Sequence, residues 1–227
     1  MTITPLNKFS LNSTSNPLYY LRQAALEEAY EIWSIMDTCY QALEHKEYFI
    51  CDDLDYVKDI LSGHGFGVVA CDESGKIVGN LLVKYPGISK ENLGYDMFMK
   101  MEMRLIDDGN QPFLQNTNLP ITLSEENLIR VLHMDSASVL PEHRGHGLEC
   151  RMIAFAETLV DTSKYCYSFA TVAPKNLASL KSLERNGYQV MVTKEKYDGV
   201  MRCVMLKTLE QKMKKIIKKA TDQGIGC

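Results

Sequence analysis

The stretch Val139-Leu140-Pro141-Glu142-His143-Arg144-Gly145-His146-Gly147-Leu148-Glu149 constrains the fold more than any other part of the chain. It separates a strand-like run from a long helix-like one. Upstream, Val131 to Val139 has strand-like composition, and Pro141, which cannot donate to a ladder, ends it. Downstream, Leu148, Met152, Ile153, Phe155, Ala156, Leu159 and Val160 recur at helical spacing. A glycine-rich turn that opens a helix leaves main-chain N–H groups unpaired at the positive end of the helix dipole. Gly145 and Gly147 place no Cβ in the way of a bulky anion, so the turn is suited to phosphate.

Two look-alikes fit less well. A P-loop requires Gly-Lys-Ser/Thr, whereas Gly147 is followed by Leu148 and Glu149. A dinucleotide fingerprint belongs in the first strand-turn-helix of a domain, and this turn lies well past the middle of the chain. Beyond it, a strand is expected from Tyr165 to Val172, closed by Pro174. Asn176 is placed to cap a helix that stops at Asn186-Gly187, and Asp198-Gly199 marks a closing hairpin.

With these elements in order, the chain resembles the GNAT superfamily of acyl-CoA-dependent N-acetyltransferases. The resemblance rests on the Arg-x-x-Gly-x-Gly/Ala turn, on an Asn-x-x-Ser helix ending in Gly-aromatic (Asn176, Ser179, Gly187, Tyr188), and on the closing antiparallel pair. It covers residues 131 to about 207 well and 18 to 86 more loosely. The fold it implies is α/β, with a mixed sheet of about six or seven strands, splayed at its centre and flanked by helices. The co-substrate it implies is acetyl-CoA, without a metal, and the partner is an amine acceptor. Arg144 and the amides of Gly145, His146, Gly147, Leu148 and Glu149 are then expected to take the pyrophosphate. Ala137, Val139 and Pro141 are expected beside the pantetheine arm, and Asn176 on its other side. The thioester oxygen would find its donor in a main-chain N–H at the end of the strand that closes at Val139.

Two residues depart from the family pattern. Glu149 stands where the turn has Gly or Ala; a carboxylate turned outward in a first helical turn favours the dipole by about 0.3–1 kcal/mol, and the outward arrangement is expected. Leu183 stands where many relatives carry a tyrosine as general acid, and Tyr165, Tyr167 and Tyr197 are the candidates to replace it. A primary amine with a pKa of about 10 must lose a proton before it attacks. Asp135 or His133 is nominated as the base: two apart on one strand, both are expected on the face that carries Ala137 and Val139. The bland alternative is that the two simply pair with each other.

The front half supplies a plausible start for such a domain. Met1 to Pro17, rich in Asn, Ser, Thr and Pro, reads as a loose arm, followed by a strand over Leu18 to Gln23. Ala25, Leu26, Ala29, Ile32, Trp33, Met36, Tyr40 and Leu43 mark a helix with one buried face. Asp52 or Asp53 caps a shorter helix through Leu61 that Gly63 ends, and Phe66–Cys71 and Lys76–Tyr85 form a hairpin. An inserted segment, about 87–130, is expected to cover the acceptor side. Residues 208–227 read as a basic amphipathic helix and tail, with packing on the domain or a homodimer contact favoured over an anionic membrane.

A net charge of -4 argues against nucleic acid as the default partner. Seven scattered cysteines without a Cys-x-x-Cys pair suggest free thiols in a reducing, cytoplasmic setting, with no secretion signal at the start. His143-x-x-His146 has a zinc-compatible spacing but no third ligand, and Cys150 reads as a packing residue. The expected activity is acetyl transfer from acetyl-CoA to a small-molecule amine by direct attack. The alternatives are a protein lysine or N-terminus as acceptor, or a non-catalytic CoA-binding module.

Overall fold

The computed structural model describes residues 18–85, 130–196 and 199–209. The N-terminal arm, the 87–129 portion of the inserted segment, Tyr197 and the basic C-terminal helix expected from the sequence lie outside the described residues. In chain order the elements are β1 (Tyr20–Gln23), α1 (Ala29–Gln41), α2 (Leu54–Asp59), β2 (Gly65–Cys71), β3 (Ile77–Lys84), β4 (Val131–Val139), α3 (Leu148–Leu159), β5 (Tyr167–Val172), α4 (Leu177–Arg185), β6 (Gln189–Lys196) and β7 (Val200–Thr208). The strands make one mixed sheet in the order β1-β2-β3-β4-β5-β7-β6. Every pairing is antiparallel except β4 with β5.

Local chemistry accounts for the boundaries. Asp53, rather than Asp52, caps α2, accepting from the Tyr56 amide at 2.8 Å, and Gly63 ends that turn at φ 135°. Asp72 organises the β2–β3 turn by accepting from the amides of Ser74 and Lys76 at 2.9 and 3.1 Å. Asn176 caps α4 through the Ser179 amide at 3.3 Å. Gly187 follows α4 at φ 85°, a conformation that other residues resist.

Two helical layers sandwich the sheet. A Cβ on Gly67 would strike Ala24 and Leu61 on the α1–α2 side, while one on Gly79 would approach Met152 of α3. The faces alternate along the strands, as period-2 geometry requires. Ile32 and Met36 of α1, Val57 of α2, and Met152, Ile153 and Ala156 of α3 are buried against it. The cysteines of the described residues are all free thiols, and among those residues no helix is long and apolar enough to cross a membrane.

Two irregularities in β4 position everything that follows. First, β4 and β5 are laddered only from Val131↔Tyr167 to His133↔Phe169, although β4 runs on to Val139 and β5 to Val172. The sheet therefore splays at its centre, as the resemblance implied. Second, Leu81 pairs with Ala137 but Val83 pairs with Met134, so Asp135 and Ser136 together oppose Leu82. This is a β-bulge, and it reverses the alternation along the strand. The buried Asn80 donates from Nδ2 to the Ser136 carbonyl at 3.3 Å, supplying a partner for backbone at the bulge.

Candidate functional site

At the open end of the splay the glycine turn forms one wall of a groove of 390 Å³. Gly145 and Gly147 both have positive φ, 83° and 67°, and Gly147 is the left-handed residue from which α3 starts. The first helical bond runs from the Arg151 amide to the Gly147 carbonyl at 3.0 Å. The amides of Leu148, Glu149 and Cys150 consequently have no intrahelical carbonyl to pair with. A Cβ on Gly145 or Gly147 would meet nothing within 4 Å, so both glycines border open space. Ala137, Val139, Arg144, Gly145, Gly147, Leu148, Glu149 and Asn176, all nominated from the sequence, line this groove together. Arg144 is tied back to the strand end, donating from Nε to the Val139 carbonyl at 3.0 Å.

His146 does not line the groove: its ring lies 5.4 Å from that of Tyr19, and His143 Nδ1 lies 3.0 Å from the Tyr19 hydroxyl. The two histidines thus brace the turn against the residue preceding β1. The outward placement expected of Glu149 is overturned. Its carboxyl is half-buried beside Ser179 and Ser182 of α4, with which it lines the groove, and burial raises its pKa above the usual carboxylate range. The groove-lining face of α4, with Ala178, Ser179, Lys181, Ser182 and Arg185, was not assigned from the sequence beyond Asn176. Its signal was present as a small, polar and basic stripe at three- and four-residue spacing.

A second cavity, of 230 Å³, is lined by Asp52, Tyr56, Lys84, His133, Asp135, Ser136, Thr171 and Arg202, together with Phe49, Ile50 and Tyr48. Tyr48 and Phe49 border both spaces, and β4 passes from one to the other between Ser136 and Ala137. The expectation that His133 and Asp135 share a face with Ala137 and Val139 is corrected by the bulge. His133 pairs with Lys84, which alternates with Leu81, the partner of Ala137. His133, Lys84 and the two bulge residues look into the second cavity, toward α2, while Ala137 and Val139 line the groove.

The second cavity holds charges of both signs. The Tyr56 hydroxyl donates a short hydrogen bond to Asp135 Oδ2. Lys84 Nζ lies 3.4 Å from that hydroxyl and 4.6 Å from the centre of the Tyr56 ring. Burial pulls the Lys84 pKa down, opposed by Asp135 and Asp52. His133 stacks on Phe169 at 4.2 Å, and its Nδ1 is 3.6 Å from Asp135 Oδ1, beyond hydrogen-bond length. Across the cavity Ser136 Oγ donates to Asp52 Oδ2 at 3.3 Å. Burial first, and the Asp135 charge second, push the Asp52 pKa up to about 6. Arg202 is buried and donates to the Glu47 carbonyl at 2.7 Å.

Leu183 is buried in the core, and Tyr165 stacks on Tyr85 with ring centres 5.2 Å apart. Neither Tyr165 nor Tyr167 borders either cavity; the phenols that do are Tyr48 and Tyr56. Sequence reasoning missed both, along with Asp52, Lys84 and Arg202, because nothing in linear spacing ties them to β4.

Solved structures of similar architecture come from varied organisms. A GNAT-family acetyltransferase from Streptococcus pneumoniae matches at a TM-score of 0.56 and 12% identity, over 85% of this chain and 100% of that one. A GNAT-superfamily phosphinothricin acetyltransferase from Sinorhizobium meliloti, solved with acetyl-CoA, matches at 0.56 and 13%, over 86% and 91%. Naa20 of Chaetomium thermophilum, solved with a bisubstrate analogue, matches at 0.54 and 15%, over 86% and 89%. No protein-family model and no curated protein sequence matches the chain. The architecture of this chain is that of the GNAT-family acetyltransferases.

Proposed function

We propose that the protein transfers an acetyl group from acetyl-CoA to a primary amine of a small molecule by direct attack. One observation carries the reading: a groove that begins at a cluster of helix-opening amides and follows the unladdered part of β4 shares Tyr48 and Phe49 with a cavity bearing two carboxylates. In this reading the amides behind Arg144 hold the diphosphate, each charge-assisted bond contributing about 1.5–3 kcal/mol. Ala137 and Val139 flank the pantetheine arm, with Asn176 opposite. The thioester then lies where β4 and β5 part, and a β4 amide there donates to its oxygen as charge builds. The acceptor enters the second cavity, whose walls of both signs suit a small polar amine. Asp135 and His133 line the acceptor side.

Protein acetylation is the second reading, supported by a comparable fold match, at a TM-score of 0.56 and 8% identity, to the ribosomal-protein-S18-alanine N-acetyltransferase of Escherichia coli. Glu149 beside the diphosphate site is what would favour a non-catalytic module. Calorimetry with acetyl-CoA tests the groove, and the absence of binding would refute the whole assignment. Thiol release with amines and with peptides then separates the readings: release with amines alone supports the first, release with peptides alone the second, and binding without release the third.

A further inference from the structure

We infer that Asp52, on the loop that leads into α2, takes the proton from the acceptor ammonium, and that Asp135 is held by Tyr56 as a positioning residue. The inference rests on the transferase reading above and assigns its base to a different element from the one the sequence nominated. The two carboxylates share one cavity but differ in their commitments. Asp135 receives the Tyr56 hydroxyl on Oδ2 and has the His133 ring 3.6 Å from Oδ1. Asp52 receives Ser136 Oγ on Oδ2 alone, and its Oδ1 has no hydrogen bond among the described residues. Ser136 adjoins Ala137, which lines the groove, so the Asp52 carboxyl is bonded to the β4 residue next to that groove.

Two acids in different surroundings divide into one that stays structural and one that exchanges protons. The groups facing Asp52 are Asp135 and His133 of β4, Lys84 of β3, Tyr56 of α2, Arg202 of β7, Tyr48, and its chain neighbour Asp53. Burial and the Asp135 charge outweigh the Ser136 hydrogen bond and the Lys84 charge and hold Asp52 at about 6, closer to working pH than an ordinary carboxyl. In the step itself the ionised Asp52 accepts one proton from the ammonium, leaving a neutral amine. The amine nitrogen bonds to the thioester carbon, the C–S bond breaks, and the departing thiolate takes the second nitrogen proton. Asp52 then returns its proton to solvent.

The test compares wild type, Asp52→Asn and Asp135→Asn in thiol release from acetyl-CoA with a pool of amino acids, polyamines and aminoglycosides. For the wild type, kcat/KM should rise tenfold per pH unit below about 6 and level off above it. Asp52→Asn should lose the plateau. Its activity should be about a hundredfold lower at pH 7 and recover roughly tenfold per unit as free amine supplies itself. Asp135→Asn should be slower yet keep the plateau. Unchanged acetyl-CoA binding by calorimetry shows that each variant is folded. Carboxyl ¹³C titration of the wild type should place Asp52 near 6. A plateau retained in Asp52→Asn, or an Asp52 titration below about 5, overturns the assignment. A wild type that binds acetyl-CoA but acetylates nothing in the amine pool or a peptide set instead overturns the transferase reading, and this inference with it.

Discussion

Replacing Gly147 by alanine separates backbone strain from ligand exclusion. Gly147 sits at φ 67° and ψ 22°, a left-handed conformation that costs an L-residue about 1–2 kcal/mol. Alanine recovers about 0.4–1 kcal/mol by restricting the unfolded chain. The new methyl meets no atom within 4 Å, so no clash adds to the balance. The net loss is about 1 kcal/mol, a fall in Tm of roughly 2–4 °C for a chain of this size. Ligand binding should suffer more, because the methyl projects into the space where a diphosphate would approach the amides of α3. Losing one charge-assisted bond, about 1.5–3 kcal/mol, weakens acetyl-CoA by roughly 10- to 150-fold. Gly199 provides the control: it has φ 93°, also with nothing within 4 Å, but borders neither cavity. Thermal melts and calorimetry with acetyl-CoA on Gly147→Ala and Gly199→Ala should show similar losses of stability and a loss of affinity in the first alone. An affinity within twofold of wild type in Gly147→Ala would refute the claim that this glycine exists to admit phosphate.

Other changes probe other links. Glu149, raised by burial, should weaken acetyl-CoA binding as pH climbs through its ionisation, and Glu149→Gln should remove that part of the pH dependence. Because titrations common to both proteins cancel, identical calorimetric pH profiles would show that the carboxylate does not face the ligand. Asn80→Ala takes away the side-chain donor to the bulge carbonyl in a fully buried place and should cost about 1–3 kcal/mol; an unchanged melt would mean the bulge does not depend on it. Glu28 receives Arg22 at 2.5 and 2.8 Å and the Ala25 amide at 2.8 Å, which hold its pKa below the usual range. Its contribution is present above the unfolded value of about 4.3 and disappears as pH falls through the depressed folded value. Glu28→Gln should therefore lower Tm at pH 7 and match wild type in strong acid, and a gap that persists there would point to packing instead.

Much of this protein is written in short-range code. Period-2 and period-3.6 spacing, the caps Asp53 and Asn176 and the positive-φ glycines act over a few residues, so the strand-turn-helix at residues 131–160 and the groove residues from Ala137 to Asn176 could be read in advance. These signals depend on intrinsic conformational preference and survive in any tertiary context. What they could not convey was register. One extra residue in β4 turns His133 away from the face of Ala137, and only the pairing with β3, about fifty residues distant, reveals it. The direction of Glu149 depended likewise on α4 lying beside α3, so that the carboxyl lines one groove with Ser179 and Ser182. Asp52 and Tyr56, Lys84, and Arg202 come from three separate segments and share a cavity only because the sheet folds them over one another. The chain alone determined the glycine turn that opens α3, because local backbone preference suffices for that. Which acids share the second cavity was decided in three dimensions, since burial and the field of a second carboxylate are properties of packing.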